Sequence, residues 1–232
     1  MRTLISLWSR RPRVLGSDLG SDESRSGQDL SELDLVTAAR GGDRRALGQL
    51  VRLYHEPLTA YLIRLGADRE LALDLAQEAF CRVCARIGSL TNPAGFRVWL
   101  FRVAHNLFLD HQRSAYRRRV LVSDAGAQVP SGVGDDPVEA VAREEQGDRV
   151  RRAVGTLPPS LRSAVLLRYY HDLSLDEIAR VTSVPVGTVK SRLHRALNAL
   201  ARLLAEGVED GGALKVRFRA RLSEDCEPVK GA

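Results

Sequence analysis

The chain has 232 residues, 44% of them hydrophobic and 28% charged, which is enough apolar material for one large core or two small ones. Lys and Arg total 35 against 29 Asp and Glu, a net charge of +6 that favours a polyanionic partner, and Lys190, Lys215 and Lys230 are the only lysines. Cys81, Cys84 and Cys226 are too few for a disulfide framework, no apolar run reaches the roughly 20 residues of a membrane span, and MRTLISLWSRRPR lacks a cleavage site, so we expect a cytoplasmic protein without membrane insertion.

Residues 1–28 are rich in Ser, Gly, Asp and Arg without periodicity and read as a flexible arm. From Leu30 apolar residues recur at steps of three and four: Leu33, Val36 and Ala39, then Ala46, Leu50, Tyr54, Leu58, Leu62 and Leu65. Gly41-Gly42-Asp43 between them predicts a helix, a tight break and a second helix. A third helix, about Asp68 to Ile87, turns Ala72, Ala76, Ala79, Phe80, Val83 and Ile87 to one arc and leaves Asp74, Gln77, Glu78 and Cys81 facing away. An acidic outer face on a basic chain suits a protein partner with a basic docking surface; a merely solvated face has the same pattern.

Thr91-Asn92-Pro93 signals the start of a fourth helix running to Arg119, with Phe96, Leu100, Val103 and Leu107 inward. Trp99, Arg102, Asn106 and Arg113 fall close together on a neighbouring arc. An unpaired base needs an aromatic face, edge hydrogen bonds and a cation for its phosphate, and this arc carries all three, although Trp99 equally suits partial burial. The basic end, Arg113 with Arg117, Arg118 and Arg119, fits phosphate contact or a favourable charge at a helix C-terminus. Residues 29–119 are thus expected to form one helical domain, and the Gly-, Pro- and Asp-rich residues 120–144 a flexible linker.

Helical periodicity returns over residues 145–205, broken at Leu157-Pro158-Pro159, His171-Asp172 and Ser183-Val184-Pro185. Ser174 and Glu177 form a capping box, the helix they start has room for about two turns, and a longer helix follows Pro185. Short helix, tight turn and longer helix make a helix-turn-helix. On the longer helix Val186, Val189, Leu193, Ala196, Leu197, Leu200 and Leu204 share the core arc. Thr188, Ser191, His194 and Arg195 lie opposite, flanked by Lys190 and Arg192. Recognition helices enter the major groove by such a polar N-terminal half, which is how we read it against the alternative of an ordinary solvated face. The fold class expected is all-α: two small helical domains joined by a flexible linker, the C-terminal one a helix-turn-helix, followed by a tail of unknown role over residues 206–232.

No cofactor, metal site or enzymatic centre is expected. Cys81 and Cys84 are spaced CxxC but have no second pair, YHEPL lacks the second histidine of a zincin, and there is no P-loop, GxGxxG or nucleophile elbow.

The segments DLAQEAFCRV, FRVWLFRVAHNLFLDHQR and LPPSLRSAVLLRYYHDLSLDEIARVTSVPVGTVKSRLHRAL, in this order and spacing, resemble a group IV sigma-70 factor of the extracytoplasmic function type, over about residues 30–119 and 145–204. The resemblance implies a transcription initiation factor with core RNA polymerase (the β′ clamp helices and the β subunit) and promoter DNA as partners, and a cognate anti-sigma factor. It implies that Asp74, Gln77 and Glu78 dock on the clamp helices and that Trp99, Phe101 and Asn106, beside Arg102 and Arg113, lie near the melted −10 element. It assigns −35 reading to the helix-turn-helix, where Ser191, His194 and Arg195 are the expected base contacts. The family pattern often has glycine in the helix-helix turn, where this chain has Ser183. A helix-turn-helix regulator that never touches polymerase is the alternative; it would leave the Asp74 face and the Trp99 arc without a role.

Overall fold

A computed structural model describes residues 31–122 and 143–205. The arm over residues 1–28, nearly all of the linker and the tail over residues 206–232 lie outside the described residues. Those described form helices and turns, with no strand among them.

Helix α1 (Glu32–Arg40) starts at a capping box, with Ser31 accepting from the Asp34 amide and the Asp34 carboxylate accepting from the Ser31 amide. Gly42, at φ 96°, takes the left-handed turn that a side chain would resist. Asp43 then caps α2 (Arg44–Leu65) by accepting from the Arg45 and Ala46 amides. Helix α2 continues through Pro57, which has no N–H to donate to the Leu53 carbonyl one turn back. It ends at Gly66, φ 113°. Asp68 caps α3 (Arg69–Arg86), and two short 3₁₀ turns lead to α4 (Phe96–Val122), which runs three residues beyond the expected Arg119.

The C-terminal unit holds α5 (Arg143–Thr156), α6 (Pro159–Val165), a π turn over Leu166–Tyr170, α7 (Leu175–Thr182) and α8 (Val186–Ala205). The capping box of α7 is formed in full: the Ser174 hydroxyl accepts from the Glu177 amide at 3.3 Å and the Ser174 amide donates to Glu177 Oε2 at 2.8 Å. Ser183 ends α7 in the left-handed region, φ 54° and ψ 42°, so the sharp turn is made without glycine at a cost of about 1 kcal/mol. The Pro185 carbonyl accepts from the Thr188 and Val189 amides and opens α8.

Most of the apolar positions read from the sequence pack inward, but Leu33 of α1 is exposed and Val103 of α4 and Val186 of α8 are only half-buried. Ala72, Ala76, Ala79, Phe80 and Val83 of α3 are buried, joined by Leu75; on α8 Val189, Leu193, Ala196, Leu197, Leu200 and Leu204 are buried. Helix α2 packs on α1 and α3, α3 on α4, and α8 on α5, α6 and α7. The two units also touch. Helix α4 lies along α7, and α2 meets α6. At that seam the Arg162 guanidinium donates to the carbonyls of Leu65 (3.0 Å), Leu157 (3.0 Å) and Gly155, and Arg64 lies 4.9 Å from the centre of the Tyr170 ring. A Cβ at position 66 would come within 3.1 Å of Arg162 Nη1, so Gly66 also leaves room for this contact.

Candidate nucleic-acid interface

Along α4 the steps of three, four and seven residues from Trp99 to Arg102, Asn106 and Arg113 bring these side chains to one stripe. Arg102, Asn106 and Arg113 are exposed; Trp99 is half-buried and meets Phe96 edge-on, ring centroids 6.4 Å apart. Arg113 pairs with Asp110 at 3.4 Å, both well exposed. Tyr116, which the sequence reading did not single out, stands exposed three residues further on. It follows Arg113 at helical spacing, the signal that would have found it.

Phe101 does not join this stripe. It is 1% exposed, on the opposite side of α4, with its ring 5.3 Å from Tyr61 and 4.4 Å from His171. Two steps along a helix from Trp99 rotate a side chain by about 200°, so the two aromatic rings cannot face the same ligand from one helix surface.

On α8 Ser191, His194 and Arg195 are exposed, while Thr188, Lys190 and Arg192 are half-buried. The Ser191 hydroxyl donates to the Thr188 carbonyl at 2.9 Å, and the Asn198 amide lies 3.2 Å from the His194 ring. Asn198 was missed in the sequence, although it follows Ser191 and His194 at steps of seven and four. It extends the same polar face with a group able to donate and accept at a base edge.

Asp74, Gln77, Glu78 and Cys81 are exposed together on α3. Arg82 donates to Glu78 at 2.8 Å, which neutralises part of the acidic face, and the half-exposed Leu73 adds an apolar contact beside Gln77 that the sequence reading did not include. Burial pushes the Cys84 thiol above its ordinary range, and so does neighbouring Cys81. Among the described residues no three His, Cys, Asp or Glu side chains gather as a metal site, and no helix is long and apolar enough to cross a membrane.

His171, His105 and Glu177 are among the ionisable groups displaced where the units meet. Burial lowers His171 to about 3, assisted by Arg97 and Arg64, and lowers His105 to about 4, assisted by Arg192. His105 Nδ1 and the buried Tyr61 hydroxyl share a hydrogen bond of 3.0 Å whose direction follows the ring tautomer. Burial pushes the Glu177 carboxyl up, but hydrogen bonds from the Ser174 amide and hydroxyl, with Arg97 and Arg180, outweigh it and hold the group below its usual range.

Comparison with known proteins places these elements. The family profile described as sigma-70 region 2 matches residues 50–118, and that described as sigma-70, region 4 matches residues 147–200. The chain is 34% identical over 178 residues to the RNA polymerase sigma-H factor of Pseudomonas aeruginosa, covering 73% of this chain and 92% of that protein. It is 31% identical over 178 residues to the ECF RNA polymerase sigma factor SigW of Bacillus subtilis, covering 74% and 95%. Against the ECF RNA polymerase sigma-E factor of Escherichia coli it is 32% identical over 181 residues, covering 75% and 94%. Its structure is similar to the sigma factor RpoE in complex with the anti-sigma factor NepR from Bartonella quintana, at TM-score 0.59 and 27% identity over 69% of this chain and 98% of that one. It is also similar to CnrH in complex with the cytosolic domain of CnrY, at TM-score 0.55 and 25% identity over 76% and 99%.

Proposed function

The chain belongs to the extracytoplasmic function type of the sigma-70 family and is a polymerase-directing transcription initiation factor, and from that premise we propose how its residues divide the work. The N-terminal unit docks on core RNA polymerase through Asp74, Gln77 and Glu78 of α3, with Leu73 beside them. The Trp99, Arg102, Asn106 and Arg113 stripe of α4 receives unpaired −10 bases. Extruding a base costs a few kcal/mol, and stacking on Trp99 with an edge hydrogen bond from Asn106 offsets that cost. The C-terminal unit sets α8 in the major groove of the −35 element, where Ser191, His194 and Arg195 meet base edges while Lys190 and Arg192 meet phosphate. Residues 120–144 are the tether, and neither unit needs high affinity alone because the tether raises the effective concentration of the other. RNA synthesis itself remains the chemistry of the polymerase, and the factor acts where polymerase and chromosome are, in the cytoplasm. A small anti-sigma protein is the partner that would restrain it.

What supports this reading above all is the presence, on two helices of one chain, of two separate exposed polar faces: one with an aromatic ring for single-stranded DNA, one with short polar groups and arginine for duplex DNA. Footprinting of the polymerase-bound factor on a set of −35 variants tests it. Arg195→Ala should weaken the preferred site by about 1 to 3 kcal/mol and relax discrimination at one position. Lys190→Ala should weaken all sites alike and reduce the salt slope by about one. Equal loss of discrimination in both variants would count against the assignment.

A further inference from the structure

Two of the chain's three cysteines, Cys81 and Cys84, stand three residues apart on α3, and nothing in the initiation-factor reading uses them. Cys81 is exposed and Cys84 half-buried. Three residues make nearly one turn, so the two Cβ atoms share a face about 5 to 6 Å apart. The proximity is felt chemically, since Cys81 helps burial to raise the Cys84 thiol. A small apolar filler explains Cys84 but not Cys81, which is exposed on the same side of α3 as Gln77 and Glu78.

What the pair can hold follows from spacing and ligand number. A disulfide needs Cβ atoms about 3.5 to 4.5 Å apart, closer than a regular helix places them, so oxidation would have to distort α3. The raised Cys84 thiol also holds little thiolate, the form that oxidants attack. Zinc and iron–sulfur clusters take four ligands, and among the described residues no third His, Cys, Asp or Glu joins the pair. Of the soft ions that thiolates select, copper(I) is the one satisfied by two sulfurs in a line. An ion seated between the sulfurs makes a longer bridge than a disulfide, which suits the helical spacing.

We propose that Cys81 and Cys84 form a copper(I) site at the edge of the polymerase-docking face, and that loading the site strengthens docking. The second half rests on the assignment of Asp74, Gln77 and Glu78 to docking; the first half stands without it. Two thiols release two protons and take one monovalent cation, so a neutral pair becomes a bis-thiolate complex with one negative charge. Copper stays copper(I), and no electron moves. Cys81 follows Glu78 and Gln77 at steps of three and four, so the new charge extends an acidic face that Arg82 partly neutralises. A basic partner surface is then drawn to it more strongly.

The test titrates the reduced full chain with copper(I) against a chromogenic copper(I) chelator in the absence of oxygen. The wild type and Cys226→Ser should each bind one ion per chain, whereas Cys81→Ser and Cys84→Ser should lose it to the chelator. Cys81 is exposed, so Cys81→Ser should keep the wild-type urea midpoint, which separates a lost ligand from a lost fold. Affinity should rise about hundredfold per pH unit, as release of two protons per ion requires, where a single thiol gives about tenfold. Loading should raise the affinity of the wild type for core polymerase about twofold to fivefold at low salt, and that of Cys81→Ser should not respond to copper(I). An ion retained by Cys81→Ser, an ion lost with Cys226→Ser, or zinc held between two chains in preference to copper(I) would overturn the site. One ion bound at these thiols with polymerase affinity unchanged or lowered would overturn the coupling. Copper(I) bound as expected by a chain that polymerase ignores, loaded or not, would leave the site standing and remove the initiation-factor reading, and the coupling with it.

Discussion

Between pH 7 and pH 5 the folded chain should lose about 4 kcal/mol of stability, about 2 kcal/mol from each of His105 and His171. Both rings are held neutral in the fold, at about 4 and about 3, mainly by burial. The cations facing them, Arg192 for His105 and Arg97 and Arg64 for His171, act in the same direction, and the Tyr61 hydroxyl at His105 carries no charge to offset them. In the unfolded chain each ring takes a proton as the pH falls below about 6.5, while the folded ring does not. The unfolded state then binds more protons, so stability is lost from about pH 6.5 downward until the folded rings also protonate. Glu177 is displaced the other way, and its contribution disappears only below its ordinary value of 4.5, outside this window. Urea unfolding at half-unit intervals measures the slope. His171→Gln should remove about half of it, and a flat profile from pH 7 to pH 5 would mean that the rings are not buried as described. A loss of this size matters, because domains of this kind hold only about 5 to 15 kcal/mol in total.

Phe101→Ala and Trp99→Ala should fail in different ways although the residues are two apart. Phe101 is 1% exposed and fills the space between Tyr61 and His171, so its truncation should cost about 3 to 5 kcal/mol of folding stability through the cavity it leaves. Trp99 is half-buried, edge-on to Phe96, with open surface beside it. Trp99→Ala should change stability by much less and should weaken open-complex formation by about 1 to 3 kcal/mol, the worth of one stacked base. Urea midpoints and open-complex formation measured on both variants separate the effects. The reverse pattern, with Trp99→Ala unfolding and Phe101→Ala folded but unable to open promoters, would place the base-capturing ring at Phe101.

Phe101 also marks where the sequence stopped being informative. Helix faces repeat every 3.6 residues, so the buried arcs of α3 and α8 and the exposed stripe from Trp99 to Arg113 follow from spacing alone. The capping boxes at Ser31 and Ser174 involve residues three apart and are equally local, although only the second was singled out in the sequence. Phe101 was assigned by resemblance, against its helical phase. Contacts across the seam, such as Arg162 to the Leu65 carbonyl, join residues 97 positions apart and leave no periodic trace. The Tyr61 and His105 pair, 44 positions apart, is hidden for the same reason. A buried histidine looks like any other until its neighbours are known. The left-handed turn at Ser183 was legible as a tension between the turn and the residue, and the chain keeps the turn and bears the strain.

Transcription by purified core RNA polymerase, with and without this chain, followed by mapping of the RNA 5′ ends on supercoiled genomic fragments, tests the central claim most directly. The chain should bind the core enzyme and move initiation to a discrete set of start sites that share upstream −10 and −35 sequences. Failure to bind the core, or binding that leaves the start sites where the core enzyme alone puts them, would contradict it.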